Sequence, residues 1–356
     1  SANSGTAALH MAVAAVGVGP GDEVITTPFS WTSTATCILH HNAIPIFADI
    51  EPRTYNIDPA QIEARITPRT KAILPVHLYG LPADMDRIMD IARRHNLPVI
   101  EDCCQAHGAE YKGRKVGTFG DVAAFSLNGN KNLAAGEGGL LVTRSERIYD
   151  EAARIQQFGE RRMKDGAREY NAYGMGWMYR LTEMTAAFAR SQLARFDETL
   201  AAIRDNAQYL TAGIRDIPGF LTPLEPEGYQ HNYYRYNLHF TPEQLGLPMP
   251  VEAYVAKIRK ALAAEGVALG RAEFIIPGMT LFQESMGYGK GCPWNCGHYT
   301  GKVEYRVEDY PVTVDTAPRV AAPLGLTPPN GRALMDGYIE AIRKVFASLE
   351  AVLAVE

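Results

Sequence analysis

The chain has 356 residues, of which 46% are hydrophobic and 21% charged, a globular composition that excludes a disordered chain and suits two domains. Its formal charge of −5 argues against a groove for nucleic-acid phosphates. No apolar run approaches the ~20 residues that a membrane-spanning helix needs, so neither nucleic acid nor membrane is an expected partner.

The first half alternates short apolar runs with helical spacing. Strands are predicted over 24–27, 44–50, 71–77, 97–102, 122–127 and 139–143, and helices over 6–16, 59–66, 84–95 and 146–158. In the third of these helices Met85, Ile88, Met89 and Ile91 follow the helical period. Gly19-Pro20-Gly21-Asp22 and Leu81-Pro82-Ala83-Asp84 are turn and helix-start signals. Strands alternating with helices predict an α/β domain with a largely parallel sheet. The run 160–165 reads as a solvated loop, and His40 and His41 fall in an apolar helix. One uninterrupted helix is expected over 182–214, bridging two domains. A strand over 233–240, a helix over 251–265, irregular chain over 277–311 and a final amphipathic helix over 332–353 complete the reading, which contains no internal repeat.

In a parallel α/β sheet, ligands bind outside the carboxyl ends of the strands. The strand at 97–102 ends in Asp102, followed by Gln105 and His107, and the strand at 122–127 ends in Ser126, followed by Asn128, Asn130 and Lys131. Trp31 follows the first strand, and Gly5-Thr6 opens the first helix. Singly, each has a plain explanation as an N-cap, an ion-pair partner or a surface lysine. Together they describe a pyridoxal phosphate site. The helix N-terminus with Gly5, Thr6 and Ser126 suits the phosphate. Lys131 offers the Schiff-base amine, Asp102 can keep the pyridine nitrogen protonated, and Trp31 can pack on the ring.

These residues resemble the motifs of the DegT/DnrJ/EryC1/StrS sugar aminotransferases. The likeness runs through Ser4-Gly5-Thr6-Ala7-Ala8-Leu9, Gly19 to Ile25, Pro28 to Thr36, Val76-His77-Leu78-Tyr79-Gly80, and Glu101 to Gly108. It ends in Phe125-Ser126, Lys131 and Gly136-Glu137-Gly138-Gly139, and it covers residues 1–215 best. It implies the fold-type-I architecture of pyridoxal-phosphate-dependent transferases. That means a large domain over 1–200, with a mainly parallel sheet of the seven-stranded type, and a smaller C-terminal α+β domain over 201–356. It implies an internal aldimine on Lys131, Gln105 against the ring hydroxyl, and a cytoplasmic homodimer with shared sites. The implied reaction moves an amino group from glutamate or glutamine to a keto-sugar, expected to be nucleotide-linked, or to a keto-cyclitol. The alternatives are another enzyme of the same fold, such as a sugar dehydratase or lyase, and a non-catalytic pyridoxal-phosphate-binding regulator. The dehydratase branch replaces the lysine with histidine, so Lys131 favours transamination.

Two departures bear on substrate. Met178 in Gly176-Trp177-Met178-Tyr179-Arg180 stands where the family has an asparagine that crosses the dimer, which leaves Arg180 as the candidate crossing residue. His231 is present, but Tyr234 stands where a second histidine is common; His231 and Arg180 are the substrate candidates. The resemblance also places a helix-and-loop segment before Ser4, so with Ser1 in place of an initiator Met an N-terminal part is expected to be missing, and the lack of a leader carries no weight. The cysteines Cys37, Cys103, Cys104, Cys292 and Cys296 are few and odd in number, which predicts no disulfide framework and a reducing compartment. Cys103 and Cys104 read as packing residues. Cys292, Cys296 and His298 have metal-like spacing but lack a fourth ligand, so a rigid loop and no metal are expected.

Overall fold

The computed structural model describes residues 1–163, 165–271 and 275–354. Ser4 starts the first helix, α1 (Gly5–Ala15), by accepting the N–H of Ala7 on its side chain. Nine of the eleven α1 residues are buried, which makes it a core helix rather than an amphipathic surface one. It is followed by β1 (Glu23–Thr26), α2 (Ser33–Leu39), β2 (Ile44–Phe47), α3 (Pro59–Glu63), β3 (Thr70–Leu74) and α4 (Met85–His95). In α4, Met85, Ile88, Ile91 and Ala92 make the buried stripe, Asp84 caps the start, and Asn96 ends it in the left-handed conformation.

Next come β4 (Ile100–Asp102), β5 (Val122–Ser126), β6 (Gly139–Thr143) and α5 (Glu146–Gln156). β2, β1 and β3 pair in parallel, as do β4 and β5. Parallel bridges from Ile73 to Val99 and from Val76 to Asp102 join β3 to β4. β6 runs antiparallel to β5, and Ala2 adds an antiparallel bridge to Gly139. The main sheet is therefore mainly parallel, with six strands and one bridging residue among the described residues. The carboxyl ends of β1, β4 and β5 share one edge.

Three expectations change. The run 160–165 is not a simple solvated loop: β7 (Glu160–Arg162) pairs antiparallel with β8 (Arg168–Ala172), and Arg168 donates to the Glu160 carboxylate at 2.8 Å; Lys164 lies outside the described residues. The single helix over 182–214 is two helices, α6 (Glu183–Leu193) and α7 (Phe196–Ile214). The break turns Phe196 into a buried cluster with Leu127, Leu133 and Leu200, whereas α6 buries none of its residues in this chain. The cysteine expectation also fails in part, because Cys292 and Cys296 form a disulfide that pins a surface loop.

The second half has its own core. β9 (Phe220–Leu221), β10 (Leu238–Phe240), α8 (Val251–Ala264), β11 (Leu269–Gly270) and β12 (Val320–Pro323) form an antiparallel sheet in the order β9-β10-β12-β11, with α8 packed beside it. α7 lays Ile203, Ala207, Leu210 and Ile214 on this core, and α9 (Arg332–Ala347) adds Met335, Ile342 and Val345. A short α10 (Leu349–Ala354) follows, so the final helical stretch is also divided.

Residues 276–310 return to the first half. Phe282, Trp294, Tyr299, Tyr305 and Tyr310 are buried with Ala35, Leu39, Ile44 and Phe47. Asp49, just after β2, fastens this return. Its carboxylate accepts the N–H groups of Val312 and Thr313 at 2.9 and 3.0 Å and the Thr313 hydroxyl at 2.7 Å. Hydrogen bonds to a charged acceptor are worth about 1.5–3 kcal/mol each, and a donor stranded in the interior pays its desolvation. Asp49→Ala is expected to lower the unfolding free energy by about 2–4 kcal/mol, read as a shifted urea midpoint. An unchanged midpoint would remove Asp49 as the fastener.

Candidate active site

The carboxyl edge of the sheet opens into a cavity of about 300 Å³, the lower end of the range for small-molecule sites. Gly5, Thr6, Trp31, Asp102, Gln105, Ser126 and Lys131 all line it. The sequence-predicted cofactor residues thus come together from α1, the β1–α2 loop and the ends of β4 and β5.

Asp102 is only 3% exposed. One carboxylate oxygen accepts from the Thr34 hydroxyl at 2.9 Å and the other from the Cys104 N–H at 3.1 Å. A buried carboxylate with two donors retains further acceptor capacity, which suits the N–H of a protonated heterocycle. Burial beside Asp102 pushes the Cys104 thiol well up, so it packs rather than attacks. Gln105 does not wait free: its side-chain oxygen accepts the N–H of Tyr79 at 2.8 Å. Tyr79 itself has a positive φ of 57°, held by this bond and by its carbonyl, which accepts the N–H of Arg235.

The phosphate end is shaped by glycine. A Cβ on Gly5 would lie 2.7 Å from Cβ of Ser126, so only glycine lets the start of α1 approach the end of β5. The first N–H groups of a helix have no partner within it, and here they face the cavity beside Ser126. Lys131 Nζ contacts the Tyr234 hydroxyl at 3.1 Å and lies 4.5 Å from the centre of that ring. A lysine amine, a buried carboxylate, an anion cradle and a half-exposed tryptophan in one cavity fit the pyridoxal phosphate donor set.

The two substrate candidates do not join this cavity. Arg180 is exposed and reaches Gln157 Oε1 at 3.5 Å. His231 is buried outside the cavity, with Nδ1 accepting the Tyr233 N–H at 2.8 Å and its ring stacked 4.3 Å from that of Tyr233. In the sequence Tyr234 stood out only as a departure, and Thr34, Tyr79, Glu137 and Arg235, all cavity-lining, were missed. Thr34 had a signal, since it lies one helical turn after Trp31.

Beneath the site, ligand atoms of His77, Glu101 and Cys103 lie within 4.8 Å of one another. His77 Nδ1 accepts the Ala83 N–H, which leaves Nε2–H to donate to Glu101 at 3.1 Å. Glu101 also accepts the N–H groups of Gly117, Phe119 and Gly120. Burial pushes its carboxyl up, but the His77 bond and these N–H groups bring it below its ordinary value. His77 and Glu101 thus brace β4 with their polar atoms already paired.

A profile of the DegT/DnrJ/EryC1/StrS aminotransferase family matches residues 1–271. The chain belongs to that family. It is 40% identical over 271 residues to L-glutamine:2-deoxy-scyllo-inosose aminotransferase of Streptoalloteichus tenebrarius, an alignment covering 74% of this chain and 62% of that one. It is 48% identical over 200 residues to GDP-perosamine synthase of Caulobacter vibrioides, covering 56% of this chain and 53% of the relative. The chain spans less than two thirds of the length of these curated relatives. Among solved structures, S. venezuelae DesV in complex with a ketimine intermediate superimposes with a TM-score of 0.79 at 29% identity, covering 97% of this chain and 84% of the other. The fold is that of the fold-type-I pyridoxal-phosphate-dependent transferases. Among the described residues no helix is long and apolar enough to cross a membrane.

Burial, with Lys131 nearby, pulls His107 down to about 4, and burial pulls His231 and His10 to about 3 and His239 to about 4. A histidine kept neutral in the fold stabilises it fully above its unfolded value of 6.5 and loses that contribution as pH falls toward the folded value. Each such histidine contributes up to about 1.4 kcal/mol per pH unit. Unfolding free energy is therefore expected to drop steeply from pH 6.5 to 4, and a flat profile in denaturant titrations across that window would contradict the burial of these rings.

Proposed function

We propose that this chain is a pyridoxal 5′-phosphate-dependent aminotransferase that moves an amino group from glutamine or glutamate to a keto-cyclitol or a keto-sugar, nucleotide-linked or free. The observation that carries this reading is the cavity shared by Lys131, Asp102, Ser126 and the start of α1. The names of the two relatives support the substrate class and, for one of them, glutamine as donor.

When bound, the cofactor supplies an electron sink that makes the α-hydrogen of an amino acid acidic. The residues of this chain do the rest. Ser126, Thr6 and the N–H groups that open α1 hold the phosphate. Asp102 keeps a proton on the ring nitrogen and is itself held by Thr34 and Cys104. Trp31 covers the ring face. Lys131 would hold the cofactor, and its Nζ, when free, would take the proton from the donor's α-carbon and give it back later in the transfer. Tyr234, whose hydroxyl lies 3.1 Å from Nζ, would orient that amine.

A homodimer and a cytoplasmic location belong to the same reading. α6 exposes Met184 and Phe188, one turn apart on one face, at 86% and 51%, and Leu193 at its end at 59%, apolar surface suited to a second copy. Arg180 remains a candidate to reach that copy. The cofactor domain is proposed to run through residue 200 and the smaller domain from 201, with 276–310 packed back on the first.

Lys131→Ala is expected to reduce turnover at least about 10³-fold and to remove the visible absorbance of the cofactor-loaded protein. Asp102→Asn keeps the shape and loses the charge, and should slow proton removal from the donor about 10²-fold. Full activity in Lys131→Ala, or no spectral change when the loaded wild type meets glutamine or glutamate, would refute the aminotransferase reading.

A further inference from the structure

Among the described residues two cationic side chains line the cavity, Lys131 and Arg235. Its two anionic ones are already engaged: Asp102 by Thr34 and Cys104, and Glu137 by the Asn128 side chain at 2.7 Å. Lys131 is engaged by Tyr234. Arg235 is half-buried and its guanidinium makes no hydrogen bond or ion pair with the described residues; its central carbon lies 6.0 Å from the centre of the Tyr234 ring, and one of its nitrogens lies beside Gly270. Lys131 and Arg235 thus share one aromatic ring, with the amine and the guanidinium 4.5 and 6.0 Å from its centre.

The backbone that carries Arg235 is fixed. Its N–H donates to the Tyr79 carbonyl at 3.2 Å, and the Tyr234 N–H before it donates to Asn232 Oδ1 at 2.9 Å. Asn232 is fully buried and donates in turn to the carbonyls of Gln105 and His107, both at 3.0 Å. A planar fork of five donors, half desolvated and without an acceptor among the described residues, is built for an incoming oxyanion, which it can take bidentately. Any amino donor that presents its nitrogen to the Lys131 position also brings a carboxylate.

We propose that Arg235 is the oxyanion anchor of the substrate site, holding a carboxylate of the amino donor; a diphosphate on a nucleotide-linked acceptor is the other source of the same chemistry. The proposal rests on the aminotransferase reading and adds a residue and a ligand class to it.

The test compares wild type, Arg235→Gln and Arg235→Lys, each loaded with cofactor and matched by circular dichroism. The wild type must first show the spectral half-reaction with glutamine or glutamate; failure with both overturns the aminotransferase reading and says nothing against the arginine. Given that response, Arg235→Gln is expected to raise KM for the amino donor about 10- to 100-fold with kcat within about threefold, and Arg235→Lys to recover part of the loss. Glutarate, which has no amino group to react, should bind the loaded wild type in calorimetry and bind Arg235→Gln at least tenfold more weakly. A rise in KM confined to a nucleotide-linked acceptor, with glutarate binding unchanged, assigns the anchor to the diphosphate. Unchanged KM for both substrates together with unchanged glutarate binding overturns the proposal.

Discussion

The site depends on how closely the start of α1 approaches the ends of β5 and β6. Gly5 and Gly139 make that approach possible: a Cβ on Gly5 would press on Ser126, and one on Gly139 would overlap the Ser4 carbonyl. The Ala2–Gly139 bridge holds the chain before α1 in place, at 2.7 Å in both directions. With the helix set there, its unpaired N–H groups and the positive end of its dipole meet the carboxyl edge of the sheet. Ser126, Asp102 and Lys131 are then placed by strands that pair with their neighbours in fixed register.

The second half is tied to this edge through one buried side chain. Asn232 donates to the carbonyls of Gln105 and His107 and accepts the N–H of Tyr234. Its backbone N–H donates to Gly80, and its carbonyl accepts from Asn132, next to Lys131. A Cβ on Gly80 would overlap the Asn232 amide, and Gly80 also has a φ of 99°, so glycine is required there on two counts. One residue, through its side chain and its backbone, thus joins the turn after β3, the turn after β4, the lysine loop and the segment that carries Tyr234 and Arg235. A buried polar network with its members paired specifies one arrangement.

Much of the first half was legible because strand ends follow from periodicity. Asp102 and Ser126 close apolar runs, Lys131 lies in the short loop after the second, and the parallel alternation puts those ends on one edge. What was not legible depends on long-range packing. The break between α6 and α7 has no Gly or Pro; it exists because Phe196 has a pocket to fill. The aromatic residues of 276–310 look irregular in sequence, since their partners lie more than two hundred residues earlier, in α2 and β2. His231 looked like a ligand-facing histidine, but its Nδ1 is used by the backbone of its own turn. Arg235, next to the departure at Tyr234, gave no sign of lacking an acidic partner until the fold placed its neighbours.

The central claim is that Lys131, in the loop after β5 and lining one cavity with the start of α1, is the amine that holds the cofactor. Its most direct test is chemical. Protein loaded with pyridoxal 5′-phosphate is reduced with borohydride, digested, and the modified peptide mapped by mass spectrometry. The account predicts one stoichiometric modification, on Lys131. A modification on another lysine, or none after reduction of fully loaded protein, would contradict it.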